Sequence, residues 1–291
     1  MTTEPTETTG IKPRRVRFDW SGTPLHWIPD DPQTTHTINV LHLLLPAGEK
    51  WFVEVYRKVL PAISDEQLRA DVKGFIGQEA THSRAHAVVL EHLAAQGVDT
   101  RRYTRLIDWT FTRLLADRPL GLPLPHFLQR AWRLHRLGII AAVEHFTAVL
   151  GSWVLAAEGL DQVDADPVML DLLRWHGAEE VEHRSVAFDL FRAQGGGYLQ
   201  RLVGLAEVAP VLLFLWIRGT FFLMRADPTR PGHPRPRGFL RAGKAGLLPT
   251  TRELLATLPR FVRPGYHPSR EGSTSAALAY LSRSPAAVAA Q

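Results

Sequence analysis

An all-α protein is what this sequence predicts, on three observations. Apolar residues recur at helical spacing through four long runs, Thr34 to Leu60, about 65 to 96, 126 to 158 and 167 to 194. The gaps between runs carry helix punctuation: Pro61 with Ser64 as a good N-cap, Gly97, and Gly159 followed by Asp166-Pro167. No stretch keeps the strict alternation of a half-buried strand.

The elements follow in order. Residues 1–17, Thr- and Glu-rich and then basic at Arg14–Arg17, read as a disordered tail. Residues 18–33 form an extended segment punctuated by Trp and Pro. In the first run Pro46 either kinks the helix or sits at N1 of a new one. Residues 101–117 are amphipathic and lead into Pro119-Leu-Gly-Leu-Pro-Leu-Pro125, a crossover between two helical hairpins. Gly195-Gly-Gly197 acts as a hinge or terminator after the bundle. The apolar run 202–224, broken by Glu207, Pro210 and Arg218, reads as a buried helix covering the bundle. A membrane-surface or re-entrant helix and a true span are its alternatives. A Pro-rich loop over 226–238, one further helix over 239–262 and an Ala-rich stretch over 272–291 complete the chain. The expected division is a tail (1–17), a bundle domain (18–197), an apolar and basic helical extension (198–270) and a C-terminal tail of low information (271–291).

Chemistry concentrates on two Glu-x-x-His steps, Glu79–His82 and Glu180–His183. Residues i and i+3 share a helix face, so each step aims a carboxylate and an imidazole at one point. Chance alone gives roughly one such step in a chain of this composition, so geometry must carry the reading. In a helical hairpin, residues equally far from the turn lie level, at about 1.5 Å per residue. Glu49 and Glu79 straddle residue 64, and Glu144 and Glu180 straddle residue 162; both midpoints fall inside the turns. Glu54 would sit roughly 7 Å too near its turn and reads as solvated or supporting. Four glutamates and two histidines on four helices are the donors of a di-iron carboxylate centre. The fold class therefore sharpens to a ferritin-like four-helix bundle with a long helical crossover and extra C-terminal helices.

The metal ligands expected are Glu49, Glu79, His82, Glu144, Glu180 and His183. Glu79 and Glu180 are the expected catalytic pair, both or one of them bridging the ions, and His82 and His183 each cap one ion. Glu49 and Glu144 lie on otherwise apolar stripes, where an unpaired carboxylate costs several kcal/mol. His86 and His176 fall on the ligand faces as extra ligands or as groups orienting a carboxylate. His42 and His145 read as bland packing residues. Glu179, Glu182 and Arg184 lie off the ligand face, as supporting or solvated groups, and Asp189 is too far round its helix for a strong role.

The runs Pro46-Ala-Gly-Glu-Lys-Trp-Phe52, Phe75-Ile-Gly-Gln-Glu-Ala-Thr-His-Ser-Arg-Ala-His86, Val143-Glu-His-Phe-Thr147 and Trp175-His-Gly-Ala-Glu-Glu-Val-Glu-His-Arg-Ser-Val-Ala-Phe-Asp189 resemble a bacterial family of predicted metal-dependent hydrolases. Arg263-Pro-Gly-Tyr-His-Pro268 resembles its closing motif, although Ser269-Arg270 departs from the aromatic and acidic residues expected next. The resemblance spans roughly residues 14 to 270 and implies the same six ligands.

Composition narrows the chemistry. There is no cysteine, which excludes disulfides, Fe–S clusters and thiolate zinc. The net charge of +5 is mostly arginine, but no recognisable nucleic-acid module accompanies it. No nucleic-acid partner is expected. The polar, basic first residues lack a secretory signal, so the cytoplasm is the expected location, with membrane association through 202–224 left open. From the ligand set, two irons (Fe/Fe, with Mn/Fe as an alternative) are expected to activate O2 with an external electron donor. The expected function is oxidation or oxygenation of a hydrophobic small molecule. The alternatives are a two-metal hydrolase cleaving an ester or phosphoester, and a non-enzymatic iron-binding protein. A homodimer and contact with a membrane surface are further open readings.

Overall fold

Helix α1 (Pro32–Val59) begins where Asp31 accepts a hydrogen bond from the Thr34 amide and Pro32 occupies a first-turn position that needs no N–H donor. Pro46 lies inside this continuous helix rather than starting a new one, which decides between the two sequence readings. Its own carbonyl accepts from Ser83 Oγ across the hairpin at 2.7 Å. A short 3-10 turn at Leu60–Ala62 leads to α2 (Glu66–Ala95). The cap of α2 is Asp65, not Ser64; its carboxylate accepts from the Leu68 amide at 2.8 Å. The computed structural model from which these contacts come describes residues 10–290.

The crossover holds α3 (Arg101–Trp109), and the 101–117 helix expected there widens into a π turn at Thr110–Leu114. The second hairpin consists of α4 (His126–Ala156), a short α5 (Glu158–Gln162) within the turn, and α6 (Pro167–His183). The fourth run is not one helix: α7 (Val186–Ala193) follows after a break. The cause is local. The Arg184 guanidinium donates to the Val181 carbonyl and competes with the backbone ladder there. α4 and α6 touch backbone to backbone, since a Cβ on Gly151 would lie 2.4 Å from the Gly177 carbonyl oxygen. That approach is open only to glycine, and it draws together the neighbouring turns that carry Glu144 and Glu180.

The rest of the chain wraps these hairpins. α8 (Tyr198–Ala226) lies across α4 and α1. The single helix expected over 239–262 is two, α9 (Pro236–Lys244) and α10 (Thr251–Val262). The C-terminal stretch is not featureless either: α11 (Thr274–Leu281) and α12 (Pro285–Val288) pack on α6. There the Tyr280 hydroxyl and the Ala286 amide both donate to Asp171. Of the tail expected over 1–17, residues 1–9 fall outside the described residues. Residues 10–17 lie against α2 and α6, with Ile11 over Gly74 and Pro13 over Gly77.

Among the described residues no strand occurs, and the protein is all-α. Its core is layered along the helices. One apolar cluster runs through Val40, Leu43, Leu93, Leu172 and Trp175, and a second through Phe52, Tyr56, Phe75, Ile140 and Phe191. In α1, α2 and α4, residues Glu49, Glu79, His82 and Glu144 fall between these two apolar layers; in α6, Glu180 and His183 lie at the end of the first, before the second resumes at Val186.

Candidate metal centre

All six expected ligands are brought together and buried: Glu49, Glu79, His82, Glu144, Glu180 and His183. They gather into two clusters whose donor atoms lie within 4.8 Å of one another. One contains Glu49, His82, His176 and Glu180, and the other Glu79, Glu180 and His183. Glu144 joins the second, its Oε2 lying 3.3 Å from His183 Nε2. Glu180 belongs to both clusters, with Oε1 towards His82 and His176 and Oε2 towards His183. Glu79 Oε1 lies 3.4 Å from both His82 Nδ1 and His183 Nε2.

Whether such a layer suits ions is testable on its polar atoms. Nine buried atoms of the six residues have no hydrogen-bond partner: both oxygens of Glu49, Glu79 and Glu144, Glu180 Oε2, His82 Nδ1 and His183 Nε2. Left so, each would cost on the order of 1–3 kcal/mol or more. The 3.3–3.5 Å separations between these donors exceed hydrogen-bond lengths and equal those of ligands about 2 Å from a shared ion. The residues present fit a two-metal centre.

Each histidine has its free nitrogen selected by a neighbour. His82 Nε2–H donates to Glu179 at 2.9 Å, leaving Nδ1 for the centre. Glu179 is held in turn by Arg14 at 2.8 Å. His183 Nδ1–H donates to Gln78 Oε1 at 2.9 Å, leaving Nε2 for the centre. Gln78 is oriented by its own donation to Glu182 and to the Lys12 carbonyl. Residues 12–14 thus reach both histidines through one intermediary each.

Further donors extend one side. His176 Nε2 contacts Glu180 Oε1 at 2.8 Å and lies 3.5 Å from Glu49, while its Nδ1 meets His86 Nε2 at 2.8 Å. His86 Nδ1 meets His42 Nδ1 at 2.7 Å, so three buried imidazoles form a chain. His42, read from the sequence as bland packing, is the outer member of that chain. Burial pushes His42 down to about 3 and also lowers His86 and His176, which keeps all three neutral.

The electrostatics of the layer show what ions would replace. Burial, then the charge of Glu180, pushes the Glu144 carboxyl up to about 8. Burial and Glu79 raise Glu49 well above the usual range. Burial opposes charge on His82, yet its bond to Glu179 and the nearby carboxylates of Glu180 and Glu79 raise it; burial likewise opposes charge on His183, but Glu180 and Glu144 raise it. Against its own burial, Glu180 is held well below the usual range by His183 and His176. The balance favours neutral carboxyls at Glu49 and Glu144 and charged imidazoles at His82 and His183.

The remaining candidates lie elsewhere. Glu54 is exposed, and Arg184 and Asp189 contact other groups: Arg184 reaches the Pro268 carbonyl, and Asp189 meets His267 Nε2 at 2.9 Å. His145 is buried against Tyr266 and sits lowered to about 4 by its burial. The sequence reading underweighted Gln78, Glu179 and Arg14. The available signal was that Gln78 and Glu179 each directly precede a Glu-x-x-His step. A third group, His26, His36 and Asp227, converges too. Both imidazoles there lie 2.7 Å from one Asp227 oxygen and satisfy it with direct hydrogen bonds, whereas the layer around Glu180 leaves nine buried donor atoms unpartnered. Two surface pockets, near Trp132 and near Arg201, include none of the ligand residues.

Residues 12–272 match the family model described as predicted metal-dependent hydrolase, and the chain belongs to that family. No curated protein and no solved structure matches it. Membership corrects the expectation of O2-dependent oxidation with an electron donor, because the family description names hydrolysis. The physical reason for the misreading is that carboxylate and imidazole donors accept redox-inert divalent ions as readily as iron, so donor type did not discriminate.

Proposed function

We propose that this chain is a two-metal hydrolase that cleaves an ester or phosphoester. Its ligands are Glu49, Glu79, His82, Glu144, Glu180 and His183, with His176 as a further one. The observation that carries this reading is the sharing of Glu180 between two donor clusters, one oxygen to each. When bound, a pair of divalent ions such as zinc or manganese supplies activation of water at neutral pH and polarisation of the scissile bond.

The protein's own contribution is positioning. Glu79 and Glu180 would be shared by a bound pair, and Glu49 and Glu144 would each add a carboxylate to it. Glu179 and Gln78 hold His82 and His183 in the tautomers that present a lone pair inward. His176, neutral and aligned by His86 and His42, presents Nε2 to the same layer. Because all these side chains are buried, substrate reaches them only when a covering segment moves. Residues 10–17, lying over α2 and α6 and tied to Glu179, Glu182 and Gln78, back the two histidines from the side away from the centre.

The test is turnover of chromogenic esters and phosphoesters by chelator-treated protein reloaded with zinc or manganese, in air and under argon. Equal rates in both atmospheres, lost on chelation and reduced at least about 100-fold in Glu180→Gln, support the reading. No turnover across the panel with two ions bound would overturn it.

A further inference from the structure

The apolar run 202–224 is not swallowed by the bundle. α8 buries one side through Gly204, Leu205, Val208, Gly219, Thr220 and Leu223, against α4 and α1. The opposite side carries Leu199, Val203, Leu213, Phe214, Ile217 and Phe221, all exposed, Leu199 by 74% and Phe214 by 58%. At about 100° per residue these six fall within one narrow stripe, which runs for about 33 Å at about 1.5 Å per residue. An unpartnered stripe of this length is not an ordinary feature of a soluble surface. It also lies on a helix long and apolar enough to cross a bilayer, with only 22% of its most apolar window buried.

Charge says what covers it. α3 touches α8 through Tyr103, whose hydroxyl donates to the Leu215 carbonyl, and α4 touches it through His135 and Glu207. Residues 101–133 and 198–226 together carry ten arginines against three acids, Asp108, Asp117 and Glu207. These two segments therefore hold more than the chain's whole net charge of +5. Phe127, 79% exposed, and Trp109 add large apolar groups among these arginines. Beside the start of α4 a pocket of ≈ 380 Å³ is lined by Lys58, Arg118, Trp132, Arg133 and Arg136. Asp117 pairs with Lys58 and Arg136, so Arg118 and Arg133 have no ion-pair partner among the described residues.

We propose that α8, with the flanking arginines of α3 and α4, docks on an anionic lipid surface: the stripe enters the acyl boundary and the arginines meet the headgroup phosphates. The combination of apolar stripe, aromatic groups and arginine flanks is what interfacial helices use. A second copy of this chain is the poorer occupant, because a symmetric interface would set this arginine-rich face against itself. The inference is independent of the hydrolytic reading.

Full-length protein is sedimented with phosphatidylcholine vesicles with and without phosphatidylserine, at low and high salt. Binding should require phosphatidylserine and weaken with salt. It should fall at least about tenfold in Arg113→Gln/Arg118→Gln/Arg130→Gln/Arg133→Gln, whose stripe is intact, and in Phe214→Ser/Ile217→Ser, with helical content checked by circular dichroism. Equal binding to both vesicle types, or none, would overturn the proposal without using any variant. So would a solution dimer that Phe214→Ser/Ile217→Ser dissociates, which would give the stripe to a second copy.

Discussion

The two halves of the centre each draw on both hairpins, yet they are furnished differently. Four residues before Glu180 stands His176, whose ring lies 4.3 Å from that of His82. Four residues before Glu79 stands Phe75, whose ring lies 4.7 Å from that of His183 and stacks on Tyr56. Four residues after His82 comes His86; four after His183 comes Ala187. The position before the glutamate of each Glu-x-x-His step differs in charge, Glu179 behind His82 and neutral Gln78 behind His183. One half is polar and donor-rich, and the other has an aromatic wall. The difference teaches that duplicated ligands do not make equivalent ion sites. If the proposed pair binds, the His82 half should hold its ion more tightly, and the His183 half, with fewer donors, should leave more room for a substrate oxygen.

The largest expected effect comes from the residue common to both halves. Glu180→Gln should remove both ions, measured as metal per chain after dialysis; retention of two ions would show that Glu180 is not shared. His176→Ala should remove only the ion of the His82 half and leave about one per chain. If it leaves two, the extra imidazole is not a ligand. Glu179→Gln should weaken metal affinity by about 10- to 100-fold, whereas Gln78→Ala, on the neutral side, should cost less. The reverse order, read by competition with a chromogenic chelator, would break the comparison.

A pH effect follows. Glu144 titrates at about 8 in the folded protein against 4.5 as its ordinary value. A carboxyl raised in this way contributes stability that is complete below the lower value and is lost as pH rises through the higher. His82 and His183, also raised, act with the same sign. The metal-free protein should therefore lose Tm from about pH 6.5 to 8, while the metal-loaded protein, with ions in place of protons, should not. A metal-free Tm that rises over that window would contradict the account. Smallest of all, Arg14→Ala should loosen metal binding only a few-fold, because Arg14 acts through Glu179.

The convergence of the candidate layer was legible because two simple periodicities describe it. The i, i+3 step places Glu79 with His82 and Glu180 with His183, and equal distance from a turn places Glu49 and Glu144 level with them. The residues that back the histidines were not legible in that way. Gln78 and Glu179 point about 100° away from the ligand face of their own helix and serve the histidine of the other hairpin. Those contacts join residues 105 and 97 positions apart, which no local pattern encodes. Arg14 was hidden by composition: a basic stretch resembles a tail until Glu179 and Glu182 are seen facing it. Helix interruptions such as the one at Arg184 arise from a side chain taking a backbone carbonyl, and hydrophobic spacing is blind to that. For α8, hydropathy reported that the helix is apolar but not what it faces. The reaction was misread for a further reason, since one donor set serves both oxidation and hydrolysis.

The most direct test of the central claim is a titration of chelator-treated protein with zinc, counting bound ions while following hydrolysis of an ester or phosphoester. The account predicts two ions per chain, with turnover appearing as the second is filled. Saturation at one ion, or full turnover before any ion binds, would contradict it.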